Sequence, residues 1–470
     1  MSVVSQNSVS GKRWLLWNAP RHIINRIMHT GLSRTLAAFA VVIALGSAAA
    51  SLGSSPTSVT RPGRSAPAAR DPIARLQARL DAGEVVLAHD SLLGYLPALL
   101  NTLQIPVSSQ GLVFSRTSLQ TDKITPWSPR AIYFNDDVYI GYVQESTFLE
   151  IAAVDPVRGA IFYTLSQEPR ARPVFARETT TCLMCHQSRS ATGGVPGYMV
   201  ISSITDRHRY PIVGVHDGST TDATPLGQRF GGWYVTGSAG AAKHAGNVYS
   251  TKLSHEVTDK QGYRAQIDMT TESARTDLVG KFDATPYLSA QSDIVALMVL
   301  VHQTVVHNLI TAVHESAPDA VFEDSMTRAN GRDTTARGTS GQSAARLRRD
   351  VDKLVRAMLF VGEAPFSGTV KGTTNYAIDF AKSGPRDARG RSLRDLDLER
   401  RLFKYPLSFL IYSESFNALP DLAKGEVYRQ LRGVLAGTDP STEFTHLAAA
   451  DRSAILEILA ATKPDFAGVR

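Results

Sequence analysis

The stretch 131-AIYFNDDVYIGYVQESTFLEIAAVDPVRGAIFYTLSQ-167 decides the fold of the N-terminal half of this chain. It contains four runs rich in β-branched and aromatic residues, which are typical of strands. Asn135-Asp136-Asp137 separate the first two runs, and 155-DPVRG-159 separates the last two. Because these are turn residues, the stretch predicts two consecutive β-hairpins. A third hairpin is predicted between 197-GYMVISSI-204 and 210-YPIVGV-215.

The pattern changes to helix from residue 287 onward. The stretch 290-AQSDIVALMVLVHQTVVHNLITAVHESA-317 is apolar nearly all round, which predicts a buried helix capped by Ser292 or Asp293. The segment 317–343 is predicted to be an exposed, flexible insert. Helices are also predicted over 73–82 and 344–360, and in a terminal layer over 407–419, 421–437 and 449–463. The chain is therefore predicted to be α+β, with a β-rich region over 73–286 and a mainly helical region over 287–470 packed against it.

The N-terminal segment resembles an export signal. Residues 1–50 hold five basic residues and no acid, so they carry most of the net charge of +7. An apolar run and then small residues follow, which predicts an export signal or N-terminal membrane anchor over 1–53. Ser, Pro, Gly and Ala dominate 54–72, which predicts a disordered linker. The body is near neutral, so no nucleic-acid partner is indicated, and a periplasmic or otherwise exported location is expected.

The two cysteines of the chain lie in 180-TTCLMCHQ-187. Cys182 and Cys185 are separated by two residues, and His186 follows directly, which is the attachment pattern of c-type haem. The thiols form thioethers with one edge of the porphyrin, and the adjacent imidazole binds the iron as proximal ligand. A redox dithiol, a disulfide and a zinc site are the alternatives. The export signal favours one covalent haem c, because attachment takes place outside the cytoplasm.

The distal side of the iron has several candidate ligands. His244 is ranked first, because it lies in the glycine-rich stretch 229-RFGGWYVTGSAGAAKHAGN-247, where a backbone can approach a flat cofactor. Trp233 and Tyr234 of the same stretch are predicted to pack on that cofactor. His302 on the apolar helix is the second candidate, and Met199 is a third. A hydrogen-bonded core histidine is the more common role for a residue placed like His302, and an iron with no distal protein ligand is the last alternative.

Several strings in order make the chain similar to a family of uncharacterised bacterial exported proteins with a cytochrome c domain. They are TCLMCH, RFGGWYVTG, 292-SDIVALMVL-300 and 405-YPLSFLIYSESFNALP-420. The resemblance covers roughly residues 85–470, and it implies haem attachment at Cys182 and Cys185 with His186 as proximal ligand. It implies no particular reaction.

Three functions are compatible with one covalent haem. The first is electron transfer to or from an exported donor or acceptor protein, with both axial positions of the iron filled. The second is a haem enzyme of peroxidase or oxygenase type, which needs acid and base groups beside an open iron. Arg229, Tyr234 and His244 are the candidates for that role. The third is a haem-based gas sensor.

Overall fold

The computed structural model describes residues 69–215, 218–267, 274–329 and 341–468. The predicted signal or anchor over 1–53 lies outside the described residues, as does the linker up to residue 68. The linker was predicted to extend to residue 72, and this boundary is wrong. Asp71 is fully buried, its carboxylate accepts hydrogen bonds from the amides of Ile73 and Ala74, and it also binds the Tyr163 hydroxyl at 2.7 Å. The folded body therefore begins before residue 72.

Within the described residues, seven strands form one antiparallel sheet in the order β6-β5-β4-β3-β2-β1-β7. The strands are β1 (Gly111–Val113), β2 (Arg130–Phe134), β3 (Val138–Tyr142), β4 (Phe148–Asp155), β5 (Gly159–Ser166), β6 (Phe175–Glu178) and β7 (Trp233–Tyr234). The two predicted hairpins are confirmed as β2–β3 and β4–β5. The Asn135 side chain accepts from the amides of Asp137 and Val138, which closes the first turn. The β-rich prediction for the N-terminal half is therefore correct.

The sheet separates two apolar cores because alternate side chains of a strand point to opposite faces. Tyr133 of β2 points into a core formed with α1 (Pro72–Asp81) and α2 (Leu96–Thr102). Its neighbour Phe134 points into the larger core on the other face, which the helical half supplies. The N-terminal and C-terminal regions therefore share this core, and the described residues from 69 onward belong to one compact unit.

Three short helices precede the helical second half of the chain. In chain order, these three and the helices that follow them are α3 (Leu183–His186), α4 (Arg189–Thr192), α5 (Lys260–Gln266), α6 (Ile294–Ala329), α7 (Gln342–Met358), α8 (Tyr376–Lys382), α9 (Glu414–Asn417), α10 (Asp421–Leu435), α11 (Ala449–Thr462) and α12 (Pro464–Gly468). A two-stranded ribbon of β8 (Ser238–Ala239) and β9 (Val370–Lys371) links the halves. The predicted terminal helices are confirmed at α10 and α11. Residues 407–419 form only a 3₁₀ turn and the short α9.

The central helix α6 is the apolar helix that the sequence predicted. Asp293 caps it, since its carboxylate accepts from the amide of Val295 at 2.8 Å. Among the described helices it alone is long and apolar enough to cross a membrane, but 83% of its most apolar window is buried inside the protein. It therefore has the burial of a core helix.

Two local predictions are wrong. The insert was predicted to begin at residue 317, but α6 continues through Pro318 to Ala329, because Ala317 and Ala320 are packed in the large core. Residues 330–340 of that insert lie outside the described residues. The third hairpin is reduced to an isolated bridge between Thr205 and Pro211 in an irregular loop. In both places tertiary packing outweighs the local preference of the chain.

Candidate functional site

The CxxCH segment directly follows the edge strand β6. Cys182 occupies the position before α3, and Cys185 lies three residues further on, so both thiols lie on the same side of one helical turn. Both are free thiols; Cys182 is half-buried against the large core and Cys185 is exposed. Met184 between them is 73% exposed. The segment therefore presents Cys185 at the protein surface beside the edge of the sheet, whereas the large core partly covers Cys182.

His186 is held in a defined orientation and tautomer. Its Nδ1 lies 2.9 Å from the carbonyl oxygen of Gly197, and the amide of Gly197 donates to the carbonyl of His186 at 2.8 Å. Because a carbonyl can only accept, Nδ1 must carry the proton, and Nε2 keeps its lone pair. The ring packs on Phe162 of β5, with the ring centroids 4.7 Å apart. In the part of the chain that the structure describes, Nε2 has no hydrogen-bond partner.

Burial lowers the pKa of His186, although its hydrogen bond to Gly197 acts in the opposite direction. The imidazole is therefore neutral at neutral pH, which is the form that binds metal ions. A metal-binding histidine normally donates its second ring nitrogen to a carbonyl or carboxylate, which fixes the ring. His186 already has this arrangement.

The carbonyl that holds His186 is itself anchored to the central helix α6. The side-chain oxygen of Asn308 accepts from the amide of Tyr198 at 2.8 Å, and its Nδ2 donates to the Tyr198 carbonyl at 2.7 Å. A Cβ atom at Gly197 would collide with Oδ1 of Asn308, so only glycine fits at this position. The contact connects α6 to the CxxCH segment through Gly197.

Two glycines return the chain to His186 after the short helix α4. Ser188 caps α4 by accepting from the amide of Ala191 at 3.2 Å. Gly193 and Gly194 then have φ angles of 74° and 91°, which side chains disfavour. This reversal brings Gly197 beside His186.

An ion pair lies on the face of the sheet next to the motif. Arg130 of β2 reaches across β3 to Glu150 of β4, with 2.6 Å between Nη2 and Oε2. Burial, together with the carboxylates of Glu178 and Glu150, raises the pKa of the Cys182 thiol to about 11. The first cysteine of a redox dithiol has a lowered pKa, so Cys182 lacks that property.

The described residues contain no group of three or more His, Cys, Asp or Glu side chains that could hold a metal ion. A zinc site at the two cysteines would need such a group. Covalent attachment of a haem needs only the two thiols and one imidazole, and it stays a prediction here.

Trp233 and Tyr234 lie at the opposite edge of the sheet from the motif. They form β7, which pairs with β1, whereas the motif follows β6. The Trp233 indole donates to the carbonyl of Ile201, and the Tyr234 hydroxyl donates to the carbonyl of Pro126. Both side chains are thus held by backbone carbonyls, and their packing on a cofactor stays a prediction.

His244 lies with β7 and not with the motif. Its Nδ1 accepts from the amide of Gly246 at 3.1 Å, and Gly246 itself packs against the carbonyl of Trp233. The glycines of this loop have protein neighbours: Gly231 contacts the backbone of Ser203, and Gly237 contacts the carbonyl of Lys371. The glycine-rich composition is explained by close backbone packing, so the structure does not bring His244 to His186.

His302 has both ring nitrogens occupied. Nδ1 donates to the carboxylate of Asp222 and Nε2 accepts from the Ser408 hydroxyl, each at 2.8 Å. This series has the connectivity of a hydrolytic triad. However, His302 and Ser408 are fully buried, and the imidazole stacks on Phe360 with the ring centroids 4.4 Å apart. Iron binding by His302 would require its hydrogen bonds to break, and the full burial of Ser408 is typical of a structural hydrogen-bond series.

Two residues that the sequence predicted for the site remain, Arg229 and Met199. Arg229 is buried, and its guanidinium donates to the carbonyls of Thr224 and Asp222. These bonds hold it within its own loop and do not place it as an acid–base group at the motif. Met199 is half-buried and lies two residues after Gly197, in an extended loop segment and not in the predicted strand. Of the predicted distal candidates, Met199 is the nearest to the motif along the chain.

A cavity of about 630 Å³ opens beside the β2–β3 turn. Its walls include Asp137, Phe380 and Arg394, and no residue of the CxxCH segment lines it. An enzyme with a haem on this segment would need a substrate site next to it, and this cavity does not provide one.

The sequence alone did not reveal three residues that shape the site: Gly197, Asn308 and Arg130. Asn308 carried a signal, because it is an amide in a helix that is apolar nearly all round, and a buried amide requires partners. Gly197 follows proline in 195-VPG-197, which indicates only a loop. Arg130 had no local signal.

The chain matches no protein-family model, no curated protein and no solved structure. The resemblance to exported proteins with a cytochrome c domain therefore stays a prediction from the sequence strings.

Proposed function

We propose that this protein is an exported c-type cytochrome, with one haem attached covalently to Cys182 and Cys185, which transfers electrons to or from an exported redox partner. His186 is the proximal ligand in this proposal. The bond from His186 Nδ1 to the Gly197 carbonyl carries the argument, because it leaves the Nε2 lone pair for iron before any cofactor is attached. The haem supplies one-electron chemistry, and the chain binds and orients it.

The surface position of the motif supports a carrier. Cys185 is exposed and Met184 is 73% exposed, so a group bound there has an edge that a partner protein can approach. An enzyme needs acid and base groups beside the iron. The predicted groups for that role, Arg229, Tyr234 and His244, are packed elsewhere in the chain. These positions favour electron transfer over the enzyme and gas-sensor alternatives.

The export prediction is part of the proposal. Covalent attachment of haem to CxxCH takes place outside the cytoplasm, which agrees with the basic and apolar order of residues 1–53. In the alternative of an uncleaved segment, the same residues anchor the protein to the cytoplasmic membrane.

The test is expression of the full chain in a bacterium with a periplasmic haem-attachment system. Intact-mass spectrometry should show one added haem, and the haem should stay bound to the denatured chain. A Cys182→Ala, Cys185→Ala double variant should carry none. His186→Ala should lose the low-spin spectrum, whereas His255→Ala, which changes an exposed histidine, should keep it.

Carbon monoxide separates the three functions. A reduced spectrum that is indifferent to carbon monoxide supports the electron carrier. Rapid formation of a carbon monoxide complex would replace the carrier with the enzyme or the sensor. Absence of covalent haem in the unaltered chain would refute the proposal as a whole.

A further inference from the structure

The ion pair with Glu150 engages only part of the Arg130 guanidinium, which is largely buried. Nη2 of Arg130 contacts Glu150 Oε2 at 2.6 Å, and the other carboxylate oxygen accepts from Ser118 Oγ at 2.8 Å. The Arg130 side chain is only 20% exposed. Its Nε is buried and has no hydrogen-bond partner in the described part of the chain. A buried donor without a partner is destabilising, so it requires an explanation.

The sheet is shaped to hold this guanidinium. A Cβ atom at Gly141 would lie 2.5 Å from Nη2 and 2.6 Å from Nε of Arg130, so the guanidinium lies directly over a glycine of β3. Gly141 pairs with Glu150 in the neighbouring strand, which places the three residues side by side. Any other residue at position 141 would displace the arginine.

This arrangement lies on the face of the sheet that carries the motif. Glu150 pairs with Thr164 of β5, and Phe162, two residues away on the same face, supports the His186 ring. The charges of Arg130 and Glu150 act on both Cys182 and His186. Glu178 is the other acid that acts on Cys182, and Arg130 is the nearby cation.

We propose that Arg130 binds a carboxylate of the group attached at Cys182 and Cys185, which for a haem is a propionate. This inference rests on the proposed function. A guanidinium can donate hydrogen bonds to two carboxylates from different edges. Arg130 therefore keeps its ion pair with Glu150 and donates to the propionate through its remaining N–H groups. In this role it is a binding residue that fixes the orientation of the cofactor and the charge of its propionate.

The test is the pH dependence of the reduction potential of the haem-loaded full chain, measured by spectroelectrochemistry. With Arg130 in place the propionate stays ionised, so the wild-type potential should not change between about pH 5 and 8. Arg130→Gln should introduce an ionisation within that window, and Arg130→Lys should largely remove it again. Arg177→Gln is the matched control, because it removes one exposed cation on the opposite face of the neighbouring β6.

Glu150→Gln separates anion binding from a purely structural ion pair. It keeps the guanidinium, so the wild-type pH profile should persist, whereas a structural role predicts that Glu150→Gln and Arg130→Gln behave alike. Superimposable profiles of Arg130→Gln and the wild type would overturn this inference and leave the proposed function standing. A wild-type chain that carries no covalent haem would overturn both.

Discussion

Replacement of Asn308 by alanine tests the link between α6 and the CxxCH segment. The Asn308 side chain makes two hydrogen bonds, of 2.8 and 2.7 Å, to the amide and carbonyl of Tyr198. Both residues are buried. Alanine would leave a buried donor and a buried acceptor without partners, each at a cost of about 1–3 kcal/mol. We therefore expect Asn308→Ala to lower the free energy of unfolding by roughly 2–6 kcal/mol.

The assay is urea unfolding of the full chain, followed by far-UV circular dichroism. Asn101→Ala is the control, because Asn101 is an exposed amide on α2, and its loss should change the free energy of unfolding by less than about 0.5 kcal/mol. A loss below about 1 kcal/mol for Asn308→Ala, with the denaturant slope unchanged, would refute the inference that this amide holds the segment.

Three further predictions concern the rest of the body. Gly425→Ala in α10 should raise the free energy of unfolding by about 0.5–1 kcal/mol in a thermal melt, since a Cβ there meets no atom within 4 Å; a loss would contradict the packing. Burial lowers the pKa of His307 to about 4, so the unfolded chain binds a proton below pH 6.5 that the folded chain does not. Stability should therefore fall by up to about 3 kcal/mol as pH falls from 6.5 to 4, and a His307→Gln variant that keeps the same acid loss would exclude His307 as its source. Ser408 should not react with a fluorophosphonate probe, because it is fully buried; labelling that Ser408→Ala abolishes would show that the series with His302 is an accessible nucleophile.

The sequence predicted the elements whose pattern is local. The turn at Asn135 and the apolar run that begins at Ile294 depend on nearby residues, and both were confirmed. Pro318 shows the limit of such reasoning, since a proline ordinarily ends or kinks a helix. Here α6 continues because the residues on either side of Pro318 are packed in the large core.

The candidate site was predictable only where its residues are adjacent in the sequence. Cys182, Cys185 and His186 form a local pattern, but the partner of His186 is eleven residues away, and Asn308 is 110 residues from Tyr198. The glycine-rich stretch around Trp233 has a composition that suits both a cofactor pocket and close packing of backbone segments. The composition also does not reveal the topology of the sheet, in which β6 and β7 form opposite edges.

The contact of His186 with Gly197 and Asn308 also gives a means of recognising distant relatives. C-x-x-C-H is short enough to occur by chance in unrelated proteins. In this chain Gly197 follows His186 by eleven residues, and Asn308 follows Tyr198 by 110 residues. These positions form one connected series of contacts, so they should change together or not at all. Chains that keep all of these positions are expected to share the site even where little else in their sequences agrees.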